Sequence, residues 1–162
     1  MKYIIYADGS SLGNPGKGGY AFLIFNTETK KISEYGGAVQ VATNNQMELK
    51  ALIEALKVLN FGDIKVGEGD VLEMRLDSQY VIKGSTEWYK GWVKNGWMTA
   101  AKKAVLNKNY WLEILNGLEM LKDKGIKINF VHVLGHNGEE GNERVDEIAR
   151  TMASGKVMDL RK

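Results

Sequence analysis

The chain has 162 residues, of which 44% are hydrophobic, with one proline and no cysteine. A chain of this size buries roughly 70% of its unfolded surface, so one soluble globular domain over residues 1–162 is expected. The lack of cysteine excludes disulfides and thiolate metal sites and suits a reducing, cytoplasmic setting. The net charge is only +2, and the apolar run after Met1-Lys2 is about four residues long before Asp8 interrupts it, too short for a signal peptide or a membrane span.

Tyr3 to Asp8 reads as a strand. With period 2, Tyr3, Ile5 and Ala7 face one way and Ile4, Tyr6 and Asp8 the other, so both faces are apolar until an acid ends them. A lone buried carboxylate is costly, and Asp8 must be protonated, paired with a cation or holding a metal. The glycine-rich Ser11 to Gly19 lacks the phosphate-cradling pattern, because Ser11 stands where the first glycine belongs and Gly18 where Ser or Thr should follow Lys17. It reads instead as a tight turn into a second strand, Tyr20–Phe25. A turn over 26–31 and a third strand, Ile32–Val41, complete an antiparallel meander.

Thr43 to Glu48 opens a helix reaching about Asn60. Asn45 with Glu48 three residues on resembles a capping box, yet Glu48, Leu52, Ala55 and Leu59 recur at helical spacing, which puts the acid on the face that packs on the sheet. Val71–Leu76 is a fourth strand, closed by Asp77. A helix separates it from the third strand, so a right-handed crossover should set it parallel to and beside the first. Asp77 then joins Asp8 at the carboxyl ends of the strands, where open α/β sheets build their sites. The plainer role for Asp77 is to cap the helix starting near Ser78.

Residues 83–108 carry six lysines against Glu87 alone, and all four tryptophans fall between 88 and 111. Trp88 and Trp92 are four apart, as are Lys90 and Lys94, so a short helix would show an aromatic and a cationic face. Core packing is the ordinary explanation for such aromatics. Interleaved with Gly84, Gly91 and Gly96, they also suit a basic protrusion that neutralises phosphates and contacts sugars and bases, the reading preferred here. Asn109 to Asp123 forms a further helix stopped by Gly125, and Ile126–Val133 a fifth strand. His132 in that strand reads as a satisfied residue. His136 lies in the glycine-flanked loop Gly135–Asn142, where imidazole suits proton transfer near neutral pH. A closing helix from Asn142 packs Val145, Ile148, Ala149 and Met152 inward and carries Asp146, an acid that the helix dipole would favour in any case.

One site explains Asp8, Glu48, Asp77 and Asp146 together. Two unit charges about 4 Å apart repel by roughly 1 kcal/mol in water and about 4 kcal/mol at an effective dielectric of 20, so four clustered carboxylates need cations. Hard oxygen ligands point to Mg²⁺ or Mn²⁺, and two such ions about 4 Å apart can activate a water and stabilise the leaving oxygen of a phosphodiester.

Asp8-Gly9-Ser10 with Gly13-Asn14-Pro15-Gly16, Thr43 through Glu48, Asp77-Ser78-Gln79-Tyr80, Trp88 through Asn107, Gly135-His136 and Asn142 through Glu147 resemble bacterial-type (type 1) ribonuclease H, in order and spacing over nearly the whole chain. The resemblance implies a ribonuclease H-like α/β fold: a five-stranded mixed sheet, three antiparallel strands then two parallel, with helices on both faces. It implies an endonuclease that hydrolyses the RNA strand of RNA/DNA hybrids and leaves 5′-phosphate and 3′-hydroxyl ends. Asp8, Glu48, Asp77 and Asp146 would be the ligands of two Mg²⁺ (or Mn²⁺) ions, and His136 a mobile residue for proton transfer and product release. Ser11, Asn14, Asn44, Asn45 and Gln79 would follow the RNA strand in the minor groove, where the 2′-hydroxyl marks RNA. Thr43 and Asn107 would hold a DNA phosphate, and Tyr80, Trp88 and Trp92 would contact the DNA strand. Val41 and Gln46 stand where relatives often place Arg, which should weaken that phosphate pocket. A monomer acting on the hybrid with no protein partner and no membrane is expected, with no hybrid-binding domain ahead of the first strand. The alternatives are a binding module that keeps the fold without cleaving, which has no need of the acids and His136, and a related nuclease acting on DNA junctions or integration ends, against which the minor-groove asparagines argue.

Overall fold

The computed structural model describes residues 1–134 and 139–162. Strands β1 (Lys2–Gly13), β2 (Gly16–Asn26), β3 (Ile32–Ala42), β4 (Val71–Leu76) and β5 (Lys127–His132) form one sheet in the order β3-β2-β1-β4-β5. The first three pair antiparallel, and β4 on β1 and β5 on β4 pair parallel, the mixed arrangement expected. β1 runs past Ser10 to Gly13 and turns through Asn14-Pro15 onto Gly16, so the glycine-rich segment is spent on strand ends and a hairpin.

Helices α1 (Asn44–Phe61) and α4 (Lys108–Asp123) cover one face of the sheet and α5 (Glu140–Ala153) the other. The alternation along β1 supplies both cores. Tyr3, Ile5 and Ala7 pack with Leu52, Ala55 and Leu59 of α1 and with Trp111 and Ile114 of α4, while Tyr6 packs with Val145, Ile148 and Ala149 of α5. Each fully buried Leu or Ile contributes about 1.5–3 kcal/mol relative to exposure, so β1 is fixed from above and below up to the residue that precedes Asp8. α5 begins two residues earlier than the expected Asn142. Among the described residues no helix is long and apolar enough to cross a membrane.

From β4 the chain enters one helical rod made of α2 (Gln79–Lys83), a π-helical turn (Gly84–Trp88) and α3 (Tyr89–Lys94), then returns through a Met98–Ala104 bridge to α4. The six lysines of 83–108 are all exposed. The tryptophans are less available to a ligand than their interleaving with lysines suggests. Trp111 is fully buried, the Trp92 ring lies 5.2 Å from it, and Trp92 also stacks on Trp88 and Trp97. The aromatic stripe is first a wedge that anchors the rod, and Trp88 is the tryptophan that reaches the surface.

Candidate metal centre where the pairing of β1 and β4 ends

The parallel register of β1 and β4 ends at Ala7 opposite Leu76. Asp8 and Asp77 come next on each strand, and Asp8 is only 4% exposed. Glu48 arrives from α1. Its Oε1 accepts a 3.0 Å hydrogen bond from the Gly9 amide, which also lies 2.9 Å from Asp8 Oδ1. Only glycine permits this approach: a Cβ at position 9 would sit 2.2 Å from the Met47 carbonyl carbon. Asp8, Glu48 and Asp77 each offer an oxygen, all within 4.8 Å of one another.

The alternative roles for these acids fail on geometry. The capping box of α1 is Thr43 with Gln46, since Thr43 Oγ1 accepts from the Gln46 amide at 3.1 Å and Gln46 Oε1 accepts from the Thr43 amide at 3.0 Å. Asn45 and Glu48 do not form it, and Glu48 is left to the site. Nor does Asp77 cap α2; Ser78 does, accepting from the Val81 amide at 3.2 Å.

Electrostatics separate the three options open to a buried Asp8. Among the described residues, no Lys or Arg pairs with Asp8, Glu48 or Asp77. Burial pushes the Asp8 carboxyl up to about 7, with the Asp77 and Asp146 charges adding to the rise against the Glu48 hydrogen bond. Burial likewise holds Glu48 well above the usual carboxylate range, reinforced by the Asp8 charge. Asp77 is raised by burial and then by Asp146. Without a divalent ion burial therefore holds Asp8 and Glu48 towards their protonated forms, and an all-oxygen donor set of this kind suits a hard cation that displaces the protons. Asp146 is near enough to perturb Asp8 and Asp77, but its Oδ2 is taken by Arg150 Nε at 3.0 Å and it stands outside the three-residue cluster. His136 lies outside the described residues.

Other predicted site residues gather beside this centre. Ser11 donates to Asn44 Oδ1 through its amide (3.0 Å) and its hydroxyl (2.9 Å), and Asn14 Oδ1 accepts from the Asn44 amide at 3.0 Å, so the β1–β2 hairpin and the start of α1 form one polar edge that leaves Asn45 exposed. Gln79 Nε2 lies 3.2 Å from His132 Nδ1, and His132 Nε2 lies 3.1 Å from the Asp77 carbonyl, so His132 is satisfied as expected. Asn107 adopts a left-handed conformation (φ 62°) that asparagine tolerates, and it makes no side-chain cap for α4. Its amide instead bridges Gln46 (3.3 Å) and the Tyr80 hydroxyl (3.1 Å), which Trp111 Nε1 also approaches at 3.3 Å. Sequence reasoning treated Gln46 only as a missing arginine. Its place three residues after Thr43 marks it as the second half of the capping box that opens α1, and its amide also reaches Asn107.

The RNase H family model matches residues 1–154. Ribonuclease H of Pseudoalteromonas atlantica is 46% identical over 160 residues, covering 98% of this chain and 95% of its own. The chain belongs to the RNase H family. Ribonuclease H of Thermosynechococcus vestitus is 43% identical over 157 residues, 97% of this chain and 92% of the relative. RNase H1 of the archaeon Halobacterium salinarum superposes with a TM-score of 0.65 at 27% identity, covering 96% of this chain and 99% of that one. LC11-RNase H1, solved in complex with an RNA/DNA hybrid, has a TM-score of 0.66 at 26% identity over 94% of this chain and 97% of its own. The expected type 1 ribonuclease H fold and family are thus borne out. RNase H enzymes depend on metal, and Asp8, Glu48 and Asp77 are the group among the described residues able to hold an ion.

Proposed function

We propose that this ribonuclease H cuts the RNA strand of RNA/DNA hybrids at the Asp8–Glu48–Asp77 cluster, leaving 5′-phosphate and 3′-hydroxyl ends. The observation that carries the reading is the convergence of three carboxylates within 4.8 Å, unpaired with any Lys or Arg among the described residues. Asp8, Glu48 and Asp77 would hold Mg²⁺, with Mn²⁺ as a substitute, and Asp146 would add a fourth carboxylate on releasing Arg150. When bound, a pair of divalent ions there supplies an activated water and charge neutralisation at the leaving oxygen. The chain does the rest. The Gly9 amide orients Glu48 against Asp8, and His136 moves a proton and assists product release. Ser11, Asn14, Asn44, Asn45 and Gln79 follow the RNA strand, where 2′-hydroxyls give the preference for RNA. Thr43 and Asn107 take a DNA phosphate. Tyr80, Trp88 and Trp92 form the DNA-side wall, whose exposed part is Trp88, and the lysines of 83–108 neutralise the backbone.

Residues 1–162 would act as one domain and as a monomer, in the cytoplasm. The test is incubation with end-labelled RNA/DNA hybrid, double-stranded RNA and double-stranded DNA in Mg²⁺, with and without chelator. Cleavage confined to the RNA of the hybrid and abolished by chelation is expected; cleavage of duplex DNA, or cleavage that survives chelation, contradicts the reading.

A further inference from the structure

Arg75 sits on β4 directly opposite Tyr6 of β1 in the parallel register. Its guanidinium is half-buried and serves three acceptors on three elements: Glu73 Oε2 at 2.6 Å from Nε, and the Tyr6 hydroxyl at 2.8 Å and Glu139 Oε1 at 3.0 Å from Nη1. Glu139 is the residue that leads into α5, and its side chain makes no cap for that helix. It is spent on Arg75 instead. The first turn of α5 is pressed onto the same place, because a Cβ on Gly141 would fall 2.2 Å from the Tyr6 ring.

These contacts have a fixed relation to the acids. Asp8 and Asp77 lie two residues beyond Tyr6 and Arg75 in sequence, and Asp146 lies seven residues beyond Glu139, in the second turn of the helix that Glu139 leads into. One guanidinium therefore ties the two strands that carry acids to the start of the helix that carries the fourth. We propose that Arg75 is a positioning residue: by clasping Glu139 and Tyr6 it sets where α5 begins, and through that the distance of Asp146 from the Asp8–Glu48–Asp77 cluster. The inference rests on the metal-centre reading above and adds to it a residue that touches neither ion nor substrate. Partners that orient metal ligands typically change metal affinity by about 10–100-fold when removed.

The test uses the full chain with Arg75→Gln, Arg75→Lys and Glu139→Gln. Mn²⁺ binding is measured by isothermal titration calorimetry, together with the Mg²⁺ midpoint of hybrid cleavage, kcat, KM for hybrid and Tm. Arg75→Gln and Glu139→Gln are expected to weaken Mn²⁺ binding about 10-fold, to raise the Mg²⁺ midpoint to match, and to lower kcat with KM unchanged. Arg75→Lys, a point charge without the fork, should recover only part of the loss. Folded variants with unchanged Mn²⁺ affinity and Mg²⁺ midpoint, or with a lowered Tm as the sole effect, would overturn the proposal. Should Arg75→Gln not fold, Glu139→Gln decides, since it weakens a single contact at a half-exposed site by removing its charge while keeping an acceptor. If the unaltered protein cleaves no hybrid, the functional reading fails, while the Mn²⁺ titration still tests the clasp.

Discussion

Asp8 and Asp77 each stand one residue past the last rung of the parallel β1–β4 pairing, Ala7 opposite Leu76. That juxtaposition sets the Asp77 charge against a buried Asp8, and Glu48 shares the same pocket. The stability of the protein should therefore register the site even when no metal is present.

The sign follows from proton counts. Asp8 is held at about 7 in the folded protein against an ordinary value of 3.8, so between those values the folded state binds the proton that the unfolded state has lost. The Asp8 contribution to the stability of the metal-free protein should fall as pH rises from about 4 to about 7. Asp8→Asn should flatten that decline and stabilise the metal-free protein at pH 8 by about 1–3 kcal/mol. Thermal melts in chelator across pH 4 to 8 check both; a variant as pH-sensitive as the parent would count against the burial argument.

Glu34 behaves in the opposite sense. Its side chain is fully buried on β3, and Arg144 reaches it with Nε at 2.7 Å and Nη2 at 3.0 Å, while Arg161 of the C-terminal segment contributes its amide at 2.8 Å and Nη2 at 2.7 Å. Burial opposes ionisation, but the two arginines outweigh it and bring the carboxyl to about 2. The stabilisation is present above the ordinary value of 4.5 and should be lost as pH falls from there towards 2. Glu34→Gln should cost about 1.5–3 kcal/mol, because it removes the charge that Arg161 pairs with and that Arg144 shares with Glu147. Denaturant melts and amide exchange at Arg161 measure it, and unaltered protection at Arg161 would show that the carboxylate does not hold the C-terminal segment.

Gln46→Arg trades a closed capping box for a cation beside Thr43 and Asn107. The lost box should cost about 0.5–2 kcal/mol, and the new charge should steepen the dependence of hybrid affinity on salt by about one phosphate contact. Lys94→Ala and Lys102→Ala should each make it shallower by a similar amount. Equilibrium binding at several salt concentrations reads all three, and identical slopes would remove the basic segment and the pocket from the contact surface.

The sequence carried the topology because its signals were redundant. The two-faced apolar pattern of β1 demands helices above and below, and the acid at its end has no harmless place unless other strand and helix ends bring it partners. What it did not carry were choices between equivalent local patterns. Thr43–Gln46 and Asn45–Glu48 both offer a short polar side chain with Gln or Glu three residues on, and only the proximity of the Gly9 amide to Glu48 separates them. The start of α5 was likewise hidden, since Glu139 is held by Arg75, 64 residues away in the chain. Trp88 and Trp92, four residues apart, look the same whether they meet a nucleic acid or, as here, each other and Trp111.

Gly9→Ala probes the approach of α1 to β1 without touching an acid. The Met47 carbonyl carbon, 2.2 Å from the added Cβ, is backbone and cannot step aside alone, so the start of α1 must retreat with Glu48. A loss of stability of about 1–3 kcal/mol with a larger proportional loss of metal affinity is expected from melts and calorimetry; undiminished metal affinity would detach Glu48 from the ligand set.

The most direct test of the carboxylate cluster is the rate of Mg²⁺-dependent hybrid cleavage by Asp8→Asn and Asp77→Asn beside the unaltered protein, with circular dichroism to verify folding. Each should keep the helical signature and cleave at least about 1,000-fold more slowly, a barrier increase of about 4 kcal/mol. Folded variants that cleave at the parental rate would contradict the assignment.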